Sequence, residues 1–172
     1  MFLSRILNRL SRRPDASQVL YERIVAAARQ EVFYALWAVP DTVDGRFDMI
    51  ALHLFLVLER LKGEGPAVEE FRQVLTDTFF QDMDRSLREM GVGDISVGKK
   101  VRKMAEAFYG RVQAYAEALS SGAGLEDALR RNIFPDAPEQ DVSALAAWVQ
   151  AARTVLAAQE TGRLMEGDVR FT

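Results

Sequence analysis

The pattern of apolar and polar residues along this chain is helical almost throughout. Apolar residues recur at three- and four-residue spacing, and glycine and proline divide the pattern into separate segments. No stretch shows the strict alternation of a half-buried strand. We therefore expect an all-α protein, a single-domain bundle of about six helices with a short N-terminal amphipathic segment. The predicted helices cover residues 17–37, 47–62, 66–90, 97–119, 125–132 and 138–159.

The predicted helix at residues 47–62 is apolar on nearly all sides. Such a helix is typical of the centre of a bundle, or of a helix covered by a partner. His53 lies within it, and a hydrogen-bonded core histidine is favoured over a metal ligand, because a metal would need further ligands. The preceding helix is predicted to begin with Ser17 as its N-cap. It ends in a group of aromatic residues, Phe33, Tyr34 and Trp37.

The two ends of the chain differ in character from the predicted helical domain at residues 17–160. Residues 1–16 are predicted to form a basic amphipathic arm, with apolar side chains on one helical face and four arginines, Arg5, Arg9, Arg12 and Arg13. Such an arm can lie on an anionic membrane surface. A frayed terminus or a helix docked on the core is the alternative. Residues 161–172 are predicted to form a flexible tail.

Composition and charge narrow the possible chemistry. The chain has 172 residues, a formal net charge of −3, one histidine and no cysteine. These counts exclude disulfides and thiolate–metal sites, and they leave too few histidines for a dimetal carboxylate bundle. No apolar run reaches the roughly 20 residues that a membrane-spanning helix needs. We expect a cytoplasmic protein that is not an enzyme and has no catalytic residues, cofactor or metal.

Residues 93–100 match most of the phosphate-loop pattern GxxxxGK[ST]. Lys100 stands where the pattern requires the hydroxyl residue that holds magnesium, and a predicted helix, not a strand, leads into the segment. Nucleotide binding is therefore disfavoured, because this motif is meaningful only between a strand and a helix.

Residues 79–111 join an acidic segment to a basic one across a glycine-containing turn. The basic cluster, Lys99, Lys100, Arg102 and Lys103, falls in the first turns of a predicted helix, where the macrodipole disfavours each cation by roughly 0.3–1 kcal/mol. Two interpretations stay open. In one, the cluster pairs with Asp82, Asp84 and Glu89 of the preceding helix in a local salt-bridge network. In the other, it is a docking patch for an acidic or phosphate-bearing partner. The neighbours of that patch would be Arg85, Arg88, Tyr109 and Arg111.

Two stretches of the sequence closely resemble the ubiquinol–cytochrome c chaperone family. They are VPDTVDGRFDMIALHLFLVLERL at residues 39–61 and FFQDMDRSLREMGVGDISVGKKVRKMAEAFYGRVQAY at residues 79–115. The most specific pieces are residues 82–94, 97–100 and 104–110. The resemblance extends over residues 21–119 and more loosely to Gln159.

The resemblance implies a non-enzymatic, all-helical assembly factor for the cytochrome bc complex (complex III) of the respiratory chain. Mitochondrial members bind newly made cytochrome b, act with a small helical partner protein and associate with the ribosome. This chain lacks their long N-terminal extension, so we expect a bacterial form that is peripheral at the inner membrane. No specific nucleic-acid sequence is expected as a partner.

On this basis we predict three binding surfaces. A groove for a client helix would use Phe33, Tyr34, Trp37, Phe47 and Phe55. Client loops, a small partner or anionic headgroups would contact Asp82, Asp84, Arg85, Arg88, Gly91, Gly93, Asp94, Lys99, Lys100, Arg102, Lys103, Tyr109 and Arg111. The membrane surface would contact Arg5, Arg9, Arg12 and Arg13.

Two other classes of function remain possible for the chain. One is a nucleic-acid-binding or ribosome-associated module that uses the basic cluster, which a steep fall of binding with salt would indicate. The other is an accessory subunit of the mature complex, which stoichiometric co-purification would reveal.

Overall fold

The computed structural model describes residues 15–172, and these residues form helices and no strand. The helices are α1 (Ala16–Ala28), α2 (Glu31–Ala35), α3 (Val43–Arg60), α4 (Pro66–Glu89), α5 (Asp94–Ser121), α6 (Leu125–Ile133), α7 (Ser143–Ala157) and α8 (Thr161–Met165). The predicted all-α, single-domain fold is confirmed. Arg5, Arg9, Arg12 and Arg13 of the predicted arm lie outside the described residues.

Helix α3 is the centre of the fold, as its apolar sequence predicts. From Phe47 to Leu58, every residue is at most 9% exposed. Helices α1, α5, α6 and α7 all contact it. A helix that is covered on all sides needs no polar face, which explains why its sequence lacks one.

Helices α4 and α5 form a hairpin around a cluster of aromatic side chains. The ring of Phe108 lies 5.1 Å from that of Phe79 and 5.8 Å from that of Phe80, measured between ring centroids. Further toward the turn, Leu87 and Val97 are also buried, but they lie outside the contiguous hydrophobic core. The turn end of the hairpin is therefore a separate small packing unit beyond the main core.

Several helix boundaries differ from the predicted ones. The helix predicted at residues 17–37 is broken after Ala28, whose carbonyl oxygen accepts a hydrogen bond of 3.0 Å from the Tyr34 hydroxyl. The break turns Phe33 inward, where its ring packs 5.0 Å from that of Trp148. Asp15, not Ser17, caps α1, and its side chain accepts from the Ser17 backbone N–H at 3.1 Å. Helix α7 begins at Ser143, later than the predicted residue 138.

The C-terminal segment, residues 161–172, is packed against the core, which differs from the flexible tail that the sequence predicts. Leu164 and Phe171 are buried, and the Phe171 ring lies 4.8 Å from that of His53. The side chain of Gln159 fixes the segment from the other side. Its Nε2 donates to the Arg170 carbonyl oxygen at 2.7 Å, and its Oε1 accepts from the Arg170 N–H at 2.9 Å. Buried apolar side chains and hydrogen bonds thus hold this segment, which contains the short helix α8, against the core.

Gly45 allows the close approach of helix α3 to the loop before it. A Cβ atom at this position would lie 1.9 Å from the carbonyl oxygen of Pro40. We predict that Gly45→Ala lowers the free energy of unfolding by about 2 kcal/mol, because backbone must move to make room. Chemical denaturation of the purified variant measures this change.

Gly98 provides the matched control for that substitution. It lies within α5, and a Cβ atom there would meet nothing within 4 Å. Gly98→Ala should therefore stabilise the protein by up to about 1 kcal/mol, the helix propensity difference between the two residues. Equal effects of the two substitutions would show that Gly45 is not sterically required.

Candidate functional site

The basic cluster lies on the exposed side of the α4–α5 hairpin. Lys99, Lys100, Arg102 and Lys103 are all exposed, whereas Val97 and Phe108 on the opposite side of α5 are buried. Within residues 15–172, none of the four cations takes part in an ion pair. The ion pairs at this end of the hairpin are formed by Arg85 and Arg88. The cluster therefore presents four uncompensated positive charges to solvent.

The acidic residues of α4 are occupied by arginines close to them in the chain. Asp82 pairs with Arg85 and also accepts a 2.8 Å hydrogen bond from the Tyr21 hydroxyl. Asp84 accepts from Arg88 Nε at 2.6 Å, and Arg88 also pairs with Asp94. The hydrogen bond from Arg88 lowers the pKa of Asp84 below its usual value. The predicted pairing of these acids with the basic cluster is therefore wrong, because three- and four-residue spacing brings the arginines closer.

The turn between the two helices exposes apolar side chains next to the basic cluster. Met90 is 53% exposed, and Ile95 is 89% exposed. Gly91 takes a φ of 83°, in the left-handed region that favours glycine, and ends α4. Gly93 precedes the first residue of α5. The segment that resembles a phosphate loop is thus helical from Asp94 onward.

Arg111 was predicted to belong to the partner-binding surface, but its guanidinium is largely buried under the N-terminal part of α3. Its Nη2 lies 2.7 Å from Asp48 Oδ1, and the two side chains are 19% and 6% exposed. The guanidinium also lies over the ring of Phe47, 5.5 Å from the centroid. Burial raises the pKa of Asp48 to about 7, against the opposing effect of Arg111. Tyr109, in contrast, is 55% exposed near the basic cluster.

The five residues of the predicted client groove do not lie together on the surface. Phe33, Phe47 and Phe55 are core residues, at most 8% exposed, while Tyr34 and Trp37 are partly buried. The groove stays a prediction, and in this structure its three phenylalanines are covered.

Two exposed apolar side chains that the sequence did not single out lie in the loop next to Tyr34 and Trp37. Leu36 is 76% exposed and Val43 is 57% exposed, at the two ends of the loop that joins α2 to α3. Ala38 in this loop has a φ of 56°, an unusual value for a residue other than glycine. We call Leu36, Trp37 and Val43 the apolar loop patch. The feature of the sequence that could have indicated this patch is the presence of apolar residues on either side of a proline-containing turn.

His53 is a core residue, as the sequence predicts. It is fully buried, and its Nδ1 donates a 2.8 Å hydrogen bond to the Met49 carbonyl oxygen. Its Nε2 is buried without a hydrogen-bond partner. Burial lowers the pKa of His53 to about 4, so the ring is neutral at physiological pH. The rings of Phe33, Trp148 and Phe171 surround it.

Between residues 15 and 172, no three His, Asp or Glu side chains are grouped so that they could hold a metal ion. In the same range, no helix combines the length and the apolar character needed to cross a membrane.

The fold and its exposed features are typical of an all-α protein that binds other molecules through its surface. It is a helical bundle that exposes the apolar loop patch and, at one end of the α4–α5 hairpin, the basic cluster. The chain belongs to the ubiquinol-cytochrome C chaperone family, whose model matches residues 35–171. The resemblance noted in the sequence is thereby confirmed.

Solved and curated relatives agree with this assignment. The crystal structure of the Cbp3 homolog from Brucella abortus is 42% identical, with a TM-score of 0.84, and the match covers 100% of this chain and 97% of that one. Ubiquinol-cytochrome-c reductase complex assembly factor 1 of Xenopus laevis is 27% identical over 116 residues, which are 67% of this chain and 58% of the relative. The protein of the same name in Homo sapiens is 29% identical over 116 residues, 39% of its length. This chain thus matches only part of its curated relatives.

Proposed function

We propose that this chain is a non-enzymatic assembly chaperone for the respiratory cytochrome bc complex and that its client is newly made cytochrome b. The observation that carries the proposal is the family match over residues 35–171. The printed names of the relatives describe assembly factors of the ubiquinol–cytochrome c reductase complex. A small helical partner and a peripheral position at the inner membrane belong to the same proposal.

The apolar loop patch supports a role in binding a hydrophobic client. Leu36 and Val43 expose most of their side chains to water, although the same loop buries Val39. Covering such side chains contributes about 25 cal/mol per Å² of apolar surface removed from water. Binding of this kind shields a client segment without any chemical step. We therefore assign the client contact to this patch, together with the neighbouring Tyr34.

The experiment compares membranes from cells with and without this chain. We expect the reduced-minus-oxidised spectrum to lose the b-type haem of the bc complex, and immunodetection to show loss of the cytochrome b polypeptide, while other respiratory haems persist. Unchanged haem and polypeptide would overturn the proposed function. Recovery of the chain in stoichiometric amounts with the mature complex would identify it as an accessory subunit instead.

Complementation then tests the assigned patch separately. The variant Leu36→Ser/Val43→Ser should fail to restore cytochrome b. Val74→Ser, which changes a 39% exposed valine on α4, is the matched control and should restore it. If the patch variant restores cytochrome b as well as the control does, the client binds elsewhere and the assembly role stands.

A further inference from the structure

We propose that the turn end of the α4–α5 hairpin docks on an anionic lipid surface. Met90 and Ile95 would enter the interface, and the basic cluster would contact the phosphate groups of the lipids. This inference rests on the peripheral membrane position included in the proposed function, and it does not depend on the identity of the client.

The first argument is the combination of apolar and basic groups at one end of the molecule. Ile95 is the most exposed large apolar residue of the described chain, and Met90 lies on the other side of the same turn. Lys99, Lys100, Arg102 and Lys103 follow in the first turns of α5. Apolar side chains at a tip with cations just behind them are the composition that interfacial membrane binding uses.

The spacing of these groups matches the depth of a membrane interface. At 1.5 Å per helical residue, Lys99 lies about 6 Å behind Ile95 along α5, and Lys103 lies about 12 Å behind it. The polar region on each side of a bilayer is roughly 5–8 Å thick. If the axis of α5 lies along the bilayer normal and Ile95 reaches the boundary of the acyl chains, Lys99 and Lys100 are at the level of the phosphates. Arg102 and Lys103 then lie just above them.

The second argument is the charge that this surface retains. Arg85 and Arg88 of α4 are neutralised by Asp82, Asp84 and Asp94, and the basic cluster has no such partner within the described residues. Residues 99–106 contain four cations and a single acid, Glu106, although the whole chain has a net charge of −3. Within the described residues, this end is thus a positively charged surface through which an acidic protein can be attracted to anionic lipid.

The apolar tip distinguishes a membrane from a nucleic acid as the occupant. Phosphates of RNA would account for the four cations, but they give no reason for two large apolar side chains to stay in water at the turn. Nor does any other described element cover the tip. The side-chain hydrogen bonds and ion pairs of residues 86–95 connect only to α4 and to the turn itself.

The test is flotation of the full chain with lipid vesicles, so that residues 1–14 are the same in every protein compared. Vesicles of phosphatidylcholine are compared with vesicles in which about one third of the lipid is phosphatidylglycerol. Replacing Lys99, Lys100, Arg102 and Lys103 by Gln should lower the partition coefficient on anionic vesicles about a hundredfold. Met90→Ser/Ile95→Ser, which leaves the charge unchanged, should lower it about tenfold.

The matched control carries the same change of charge elsewhere on the surface. Arg23, Arg29, Arg131 and Arg153 are exposed, and their replacement by Gln should leave binding within about twofold of the unaltered chain. The proposal is overturned if the control loses as much binding as the cluster variant, or if the tip variants bind as the unaltered chain does. Cluster-dependent binding to poly(U) RNA without binding to anionic vesicles would also overturn it, in favour of a nucleic-acid partner.

Discussion

Replacement of Arg111 by methionine should lower the free energy of unfolding by about 4 kcal/mol at pH 8.5, because the buried Asp48 must then either stay charged without its partner or take up a proton at a pH where the unfolded chain does not. The two side chains form an ion pair of 2.7 Å, and Asp48 is 6% exposed. Methionine keeps the unbranched apolar stem against Phe47, so the effect reports mainly the lost charge. Urea denaturation of both proteins measures the difference.

The same substitution should cost much less at pH 5. Burial raises the pKa of Asp48 to about 7, so the folded protein binds a proton more tightly than the unfolded chain does. The stabilising contribution of that proton is fully present below about pH 4 and is lost as the pH rises through about 7. At pH 5 the carboxyl group of Asp48 is neutral with or without Arg111, so the substitution leaves no unpaired carboxylate in the interior.

Two variants complete this test. Asp48→Asn/Arg111→Met should recover most of the stability at pH 8.5, because neither charge remains. Arg102→Met removes an exposed arginine of the same helix and should change stability by less than about 0.5 kcal/mol. A loss for Arg111→Met that is the same at pH 5 and at pH 8.5 would show that packing, not charge, is the reason.

Acidification from pH 7 to pH 4 should cost the protein about 3 kcal/mol through His53 alone. Burial lowers the pKa of His53 to about 4, from an ordinary value of 6.5. The unfolded chain therefore binds the proton more readily than the folded protein does. The contribution of His53 to stability is present above pH 6.5 and is lost as the pH falls toward 4.

A His53→Phe variant isolates this contribution, since the ring lies among aromatic side chains that accept another ring. The carboxylates, including Asp48, are common to both proteins and cancel in the difference between them. The variant should thus lose about 3 kcal/mol less than the unaltered chain between pH 7 and pH 4. Parallel stability curves for the two proteins would contradict a neutral, buried His53.

The sequence predicted the central position of α3, and it predicted the two helices and the glycine-containing turn that make up the α4–α5 hairpin, because these features follow directly from apolar periodicity and turn residues. It did not predict the break between α1 and α2. No glycine or proline marks residues 29 and 30, and the break depends on the hydrogen bond from Tyr34 to Ala28 and on the inward position of Phe33. The first is a local side-chain contact and the packing of Phe33 on Trp148 is a tertiary contact, and a helical pattern contains neither.

The candidate site was predictable in composition but not in its pairing. The sequence shows acids and cations near one another, yet it cannot show which arginine pairs with which aspartate. In the structure Arg85 and Arg88 pair with Asp82 and Asp84, which one interpretation of the sequence had paired with the basic cluster. Arg111 looked like one more surface cation, since its partner Asp48 lies more than sixty residues away within an apolar segment. Leu36 falls within the helix predicted at residues 17–37 and Val43 in the turn that follows it, so only their exposure in the structure marks them.

The position of Leu87 and Val97 outside the contiguous core has a consequence for the dynamics of the protein. Amide hydrogens near the hairpin turn can exchange through local opening, at a free energy below that of global unfolding. Those of α3 exchange only when the whole domain opens, because every residue from Phe47 to Leu58 is covered. We therefore expect the end that we propose to dock on lipid to open locally while the central helix stays closed.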